Sequence, residues 1–320
     1  MVGCCWYPFD RMGAYLYKGG ERMQNARTDL AMERTGNMPD SARGIEVSSR
    51  CQGAVETTLV RIINQEAAKR LSKAQGEYWT LQHPCLPELD PEERMRMAEL
   101  TAGEIRRMLP REGAVLVVGL GNRYMTADAL GSRTAEGVYV TRHLKAQERR
   151  TLRPVSAMAP GVLGITGVET AEMVRGVVER VQPQAVIAVD ALAAMETKRI
   201  CTTIQVTDTG IQPGSGVGNH RAGLTRETLG VPVIAVGIPM VVYASTIVRD
   251  ALKDILAQGS TEEAAEAMAE RLSKGALREM VVTPRSIDEL VAHLADTLAL
   301  AINIALQPSF TARELSFRLH

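Results

Sequence analysis

The 320-residue chain has no charge bias: Lys plus Arg and Asp plus Glu each total 37. A dedicated nucleic-acid binder usually shows a basic excess, so no direct nucleic-acid partner is expected. Cysteine is scarce and irregular. Cys4, Cys5, Cys51, Cys85 and Cys201 form neither an even disulfide framework nor a CxxC metal pattern. That usage fits a reducing cytosol. No apolar run approaches the roughly 20 residues that cross a bilayer, so no membrane partner is expected. The opening residues lack the basic start, apolar stretch and small-residue cleavage site of a signal peptide. Also missing are a phosphate-binding GxxxxGK motif, an HExxH motif and a GxSxG elbow. Gly119-Leu120-Gly121-Asn122 is too short for a dinucleotide fingerprint. There is no internal repeat and no low-complexity linker.

What is present is an ordinary globular composition, 45% apolar and 23% charged, on a chain long enough to bury a core without staples. Residues 1–22 are aromatic and glycine-containing without periodicity. They are expected to be a disordered leader, with Met23 rather than Met1 or Met12 as the start. Gly44–Val47 and Tyr78–Leu81 read as strands. Pro91 opens a helix that runs to Leu109, and Pro110 stops it. Three near-continuous Val/Ile runs follow, at 114–119, 184–190 and 231–237. Such runs mark strands covered on both faces, as in parallel sheets. Between the first two, Met173, Val174, Val177, Val178 and Val181 make one helical face. Thr166 and Glu169 have capping-box spacing before it, as do Ser260 with Glu263 and Ser286 with Glu289. Ile287, Leu290, Val291, Leu294, Leu298 and Ile302 form a C-terminal stripe suited to packing on the core. The expected fold is α/β: a mostly parallel central sheet flanked by helices, with a small additional β-rich region near the N-terminus.

In open α/β sheets, sites gather beyond the C-terminal ends of the strands. Asp190 closes the second Val/Ile run, and Asp128 lies in the loop after the first. Neighbouring strands would bring both carboxylates to one crevice. Two close carboxylates share a proton, and their pKa values split. One can then take a proton from water while the other donates to a scissile carbonyl oxygen. The plain alternative for either aspartate is a turn or helix cap. Gly214, Gly216 and Gly218, followed by Asn219, His220 and Arg221, suggest a tight loop that lines a cleft. The same loop could cradle a phosphate. His220 with Asp128 and Asp190 offers a metal-site alternative. Cys201 reads as a small core residue. The basic run from Arg142 to Arg153, with Arg149 and Arg150 at its centre, is a solvated face or a surface for acidic substrate side chains.

Taken in order, these segments resemble the germination protease family. The match is carried by Arg27-Thr-Asp-Leu-Ala-Met-Glu33, Gly119-Leu-Gly-Asn122, Thr126-Ala-Asp-Ala-Leu-Gly131, Asp190-Ala-Leu-Ala-Ala194, Thr202-Thr-Ile-Gln205, Pro213-Gly-Ser-Gly-Val-Gly-Asn-His-Arg221 and Leu229-Gly-Val-Pro-Val-Ile-Ala-Val-Gly-Ile-Pro239. The resemblance implies an atypical aspartic-type endopeptidase, related in fold to hydrogenase-maturation proteases. Asp128 and Asp190 fall on the family's catalytic aspartates. It implies a cytoplasmic enzyme of the forespore and spore core that starts the degradation of small acid-soluble spore proteins at germination. It further implies a homotetrameric zymogen that cuts itself between Asp29 and Leu30. No cofactor or metal is expected, and the relation to maturation proteases, which carry metal-binding carboxylates and His, keeps the metal reading as an alternative. Residues 1–29 are then leader and propeptide, and 30–320 a single α/β peptidase domain. Tyr243 stands where relatives commonly carry an acidic residue, so no role is carried over to it. The alternatives are a metal-dependent maturation-type protease and a phosphate- or nucleotide-binding module.

Overall fold

The computed structural model describes residues 28–35, 44–145, 151–213, 221–256, 280–310 and 314. Among the described residues, nine strands form one mixed sheet: β1 (Ile45–Gln52), β2 (Val55–Ile62), β3 (Gly76–Gln82), β4 (Val115–Gly119), β5 (Val155–Met158), β6 (Ala185–Ala194), β7 (Thr203–Thr207), β8 (Val233–Tyr243) and β9 (Val281–Val282). The order is β1-β2-β3-β7-β8-β6-β4-β5, with β9 paired to β8. Strands β8, β6, β4 and β5 run parallel. The β1–β3 meander joins through β7 in antiparallel pairing. The β-rich N-terminal region expected from sequence is therefore an extension of the central sheet. The three Val/Ile runs are β4, β6 and β8, and the last two continue well past their apolar stretches.

Among the described residues, the α-helices are α1 (Met32–Thr35), α2 (Gln65–Leu71), α3 (Pro91–Met108), α4 (Leu130–Glu136), α5 (Leu163–Thr166), α6 (Thr170–Val181), α7 (Arg226–Leu229), α8 (Ala244–Leu256) and α9 (Ile287–Leu306). One sheet face packs Val117, Ile187, Val189, Ile204, Val206 and Ile234 under α3 and α9. The other packs Leu116, Val118, Val186, Ala188 and Val233 under α6 and α7. Alternate residues of each strand thus enter opposite cores, the consequence of a two-residue side-chain period. Helix α9 is long and apolar enough to cross a membrane, contrary to the expectation from sequence, but 72% of it is buried inside the fold. It is a core helix, and its apolar residues are spent on α3 and the sheet.

Asp90 starts α3 by accepting from the amides of Glu92 (2.9 Å) and Glu93 (2.8 Å), with Pro91 in the first turn. Two expected caps are absent. Glu169, not Thr166, precedes α6, and neither it nor Ser286 before α9 makes a side-chain cap. The Thr166 hydroxyl instead accepts from the Val168 amide at 3.2 Å, closing the short turn after α5. The Ser260–Glu263 pair lies outside the described residues.

Candidate active site

Strands β4 and β6 are parallel neighbours, with Gly119 opposite Val189. Asp190 is the next residue of β6. Asp128 ends a short 3₁₀ turn (Thr126–Asp128) that follows β4. That turn folds back because Gly121 adopts φ +94°, where a Cβ would lie 2.0 Å from the Asp128 carbonyl oxygen. The Asp128 carboxylate accepts from the Asn122 amide at 2.7 Å. It therefore also performs the plain turn-closing role. Asp190 is 6% exposed and accepts from its neighbour Ala191 N at 2.9 Å.

Burial raises the pKa of both acids. For Asp128, desolvation outweighs the Asn122 amide and the positive Arg221, which pull it down. For Asp190, desolvation acts first, then the charges of Asp128 and Asp29, and its carboxyl is pushed well above the usual range. The expected meeting of Asp128 and Asp190 is thus felt electrostatically, and a third carboxylate, Asp29, joins them. A buried group facing two like charges is the environment that favours the protonated form of a carboxyl.

Asp29 reaches this site because residues 28–35 lie along the end of β6. Its amide donates to the Ala193 carbonyl at 3.0 Å, and its carboxylate accepts from the Ala193 amide at 2.9 Å. Leu30 is fully buried against Leu192, Ala194 and Val242. Further along, Glu33 accepts from the amides of Met195 (2.8 Å) and Glu196 (2.9 Å) and from the Thr28 hydroxyl. The segment is pinned at both ends, by Asp29 and by Glu33.

The rung Asp190–Gly237–Gln205 crosses β6, β8 and β7 on the α6/α7 face. Two strand spacings put Asp190 and Gln205 roughly 10 Å apart. Gly237 keeps the floor between them bare; a Cβ there would lie 2.7 Å from both the Asp190 carbonyl oxygen and Leu192 Cγ. A cavity of about 710 Å³ opens beside this rung, lined by Asp29, Lys73, Leu192, Gln205, Thr207 and Gly237 among others.

Sequence reasoning missed Lys73, Thr28 and Arg199, and gave Gln205 and Glu33 no role. Gln205 carried a signal: Thr203, Gln205 and Thr207 alternate on a strand at the centre of the sheet, where polar side chains on a covered face are costly. Tyr243 is buried, at 6% exposure. Of the expected basic surface, Arg153 turns inward and donates to the carbonyls of Gly113 (2.8 Å) and Pro110 (2.8 Å). Arg149 and Arg150 lie outside the described residues. So do Gly214, Gly216, Gly218, Asn219 and His220. Cys201 is buried, its thiol pushed up to about 12 by desolvation, as befits a core residue. Among the described residues, no group of three or more His, Cys, Asp or Glu side chains is placed to hold a metal ion.

The half-buried Asp128 and the buried Asp190 thus stand at the carboxyl end of the parallel strands, with residues 28–35 docked on the same strand. A family model described as germination protease matches residues 23–278. The chain is 41% identical over 317 residues to the germination protease of Caldanaerobacter subterraneus subsp. tengcongensis, covering 92% of this chain and 98% of the relative. It is 34% identical over 326 residues to that of Clostridium tetani, covering 92% and 100%. A NiFe hydrogenase maturation protease, HycI from Thermococcus kodakarensis, aligns with 63% of this chain and 98% of its own, at 18% identity and a TM-score of 0.36. The chain belongs to the germination protease family, and is a peptidase.

Proposed function

We propose that this peptidase is an endopeptidase of the aspartic type that cuts small acid-soluble spore proteins at germination. It is made as a zymogen and activated by its own cut between Asp29 and Leu30. The observation that carries this reading is the seating of Asp29 on β6, three residues beyond Asp190, with its charge acting on Asp190. The bond to be cut is thereby held on the strand that carries Asp190, roughly 10 Å along it. Asp128 and Asp190 share one proton; the ionised member takes a proton from water, and the protonated member serves as the acid. Until the cut, Thr28 and Asp29 occupy the strand end along which a substrate would lie, and cleavage releases them. The two hydrogen bonds of Asp29 to Ala193 support this occupancy. The enzyme acts as a homotetramer in the cytoplasm of the forespore and spore core.

The test is intact mass after incubation at mildly acidic pH, with and without chelator, for the wild type, Asp128→Asn and Asp190→Asn. Loss of everything up to Leu30, indifferent to chelator and absent in both variants, is expected. Cleavage that continues in both variants, or stops with chelator, moves the chemistry off the pair.

A further inference from the structure

The carbonyl oxygen of Asp29, the oxygen of the peptide bond to Leu30, accepts two side-chain hydrogen bonds. Lys73 Nζ donates at 2.9 Å and Gln205 Nε2 at 3.0 Å. On the other side of the same bond, the Leu30 amide donates to Thr28 Oγ1 at 3.0 Å. We infer that Lys73 and Gln205 form the oxyanion site of this enzyme, catalytic residues that hold the charge growing on the carbonyl oxygen of the bond being cut. This rests on the reading that the cut falls between Asp29 and Leu30.

Three features set this arrangement apart from the routine satisfaction of a buried carbonyl. First, both lone pairs of this peptide oxygen are met by side-chain donors, one of them an ammonium. Second, the donors come from unrelated elements that converge on one atom. Lys73 follows α2, where Ser72 takes a left-handed conformation (φ 52°) that turns the chain out of the helix. Gln205 rises from the middle of β7, in the rung that begins with Asp190. Third, both donors are fixed. Gln205 Oε1 accepts from the Ala31 amide at 2.9 Å, which settles which way the side-chain amide faces. The Lys73 amide bonds back to the Ala68 carbonyl at 3.1 Å. Donors already in place when charge develops cost no reorganisation, and each is worth about 10²–10³ in rate. Burial lowers the Lys73 pKa, while the Asp29 carboxylate pulls it back up. That makes its ammonium a better proton donor to an oxyanion than an exposed lysine.

The step balances without further reactants. Water adds its oxygen to the Asp29 carbonyl carbon and gives one proton to the ionised carboxylate of the pair. The carbonyl π electrons move to oxygen, where Lys73 and Gln205 meet the charge. On collapse the carbonyl re-forms, the C–N bond breaks, and the Leu30 nitrogen takes a proton from the aspartate pair. The products are a C-terminal Asp29 and an N-terminal Leu30. With the oxygen served by Lys73 and Gln205, the acid of the pair is released from that duty and serves the leaving nitrogen. A substrate laid along the same strand would place its own scissile carbonyl on the same two donors.

The experiment follows self-cleavage of the full chain by intact mass over time, each variant compared at its own pH optimum. Lys73→Met keeps the stem and removes the ammonium. Gln205→Glu keeps the acceptor for Ala31 and removes the donor. Each should slow the first-order cut about 100-fold or more, with a melting temperature within a few degrees of wild type, and Lys73→Arg should retain an intermediate rate. If Lys73→Met fails to fold, Gln205→Glu decides alone. Wild-type rates in both variants, with Asp128→Asn and Asp190→Asn inert beside them, overturn the oxyanion site and leave the aspartate reading standing. Slow Lys73 and Gln205 variants beside active aspartate variants would keep the oxyanion site and remove the pair. A wild-type chain that never cuts at this bond removes both.

Discussion

Asp29 and Ala193 grip each other twice: the Asp29 amide donates to the Ala193 carbonyl, and the Asp29 carboxylate accepts from the Ala193 amide. The side chain thus stands in for a backbone acceptor, so the segment is registered on β6 at one residue. A cleavage site needs registration of this kind, because a shift of one residue would present a different bond to the acids. A longer side chain would overreach the Ala193 amide.

The same carboxylate adds negative charge beside Asp190 and helps to raise its pKa. In Asp29→Asn the side-chain oxygen can still accept from Ala193, but the charge is gone. The Asp190 pKa should fall, so the shared proton is lost at lower pH. The alkaline limb of the self-cleavage profile is then expected to move toward acid, while the acid limb stays. A pH–rate profile of the two chains checks this; superimposable alkaline limbs would show that Asp190 does not feel Asp29.

Asp190 should cost the protein stability at neutral pH. Its folded pKa lies well above that of the unfolded chain, chiefly from desolvation. Between those two values the folded state binds more protons than the unfolded one, so stability falls as pH rises through that window. In Asp190→Asn the side-chain oxygen can still accept from the Ala191 amide, and there is no charge to bury. The variant should therefore melt higher than wild type at pH 7, with the gap closing toward pH 4. Thermal melts at both pH values measure it. A variant that melts lower at pH 7 would contradict the assignment of Asp190 as a strained buried acid.

Much of this was legible in the sequence, for physical reasons that also mark where reading stops. Strands β4, β6 and β8 announce themselves because strands covered on both faces need unbroken apolar runs. Asp190 and Asp128 follow from the strand-end rule, which depends only on knowing where those runs stop. Of the antiparallel half, β1 and β3 were visible as strands, β2 and β7 were not, and none was legible as part of the same sheet. The β3–β7 pairing joins residues more than 120 positions apart, and nothing local encodes it. The capping boxes failed because spacing alone does not say which turn uses the hydroxyl; Thr166 serves the turn after α5. Lys73 carried no signal at all. Its role exists only because Ser72 turns left-handed and residues 28–35 cross the sheet above it.

Gly237 is the residue that keeps the site floor open. Its backbone conformation is ordinary for a strand, so the requirement is one of space. A methyl group would sit 2.7 Å from the backbone oxygen of Asp190 and from Leu192 Cγ. Leu192 can give by rotation, but the strand cannot. Gly237→Ala should lose about 1–3 kcal/mol of stability from overpacking. It should also slow cleavage more than that loss explains, because Asp190 is the atom group displaced. Chemical denaturation paired with a cleavage assay on the folded fraction separates the two effects. Unchanged cleavage by the folded protein would show that the floor need not be bare.

Glu33 holds the far end of the docked segment, and its loss should release that end. The side chain is 4% exposed and accepts from the amides of Met195 and Glu196 and from Thr28, with Arg199 Nε 3.6 Å away. Desolvation raises its pKa against these partners, so it is a strained group whose bonds justify its burial. Glu33→Ala leaves two amides without their acceptor. At about 1–3 kcal/mol for each unsatisfied buried donor, the total loss is roughly 2–4 kcal/mol, allowing for water entering the gap. The variant should also cut itself more slowly, since residues 28–35 would lie on β6 for less of the time. Denaturation midpoints and cleavage rates, measured on one preparation, test both halves. A change below about 0.5 kcal/mol, the usual scatter for surface substitutions, would mean that the segment is held by Asp29 and Leu30 alone.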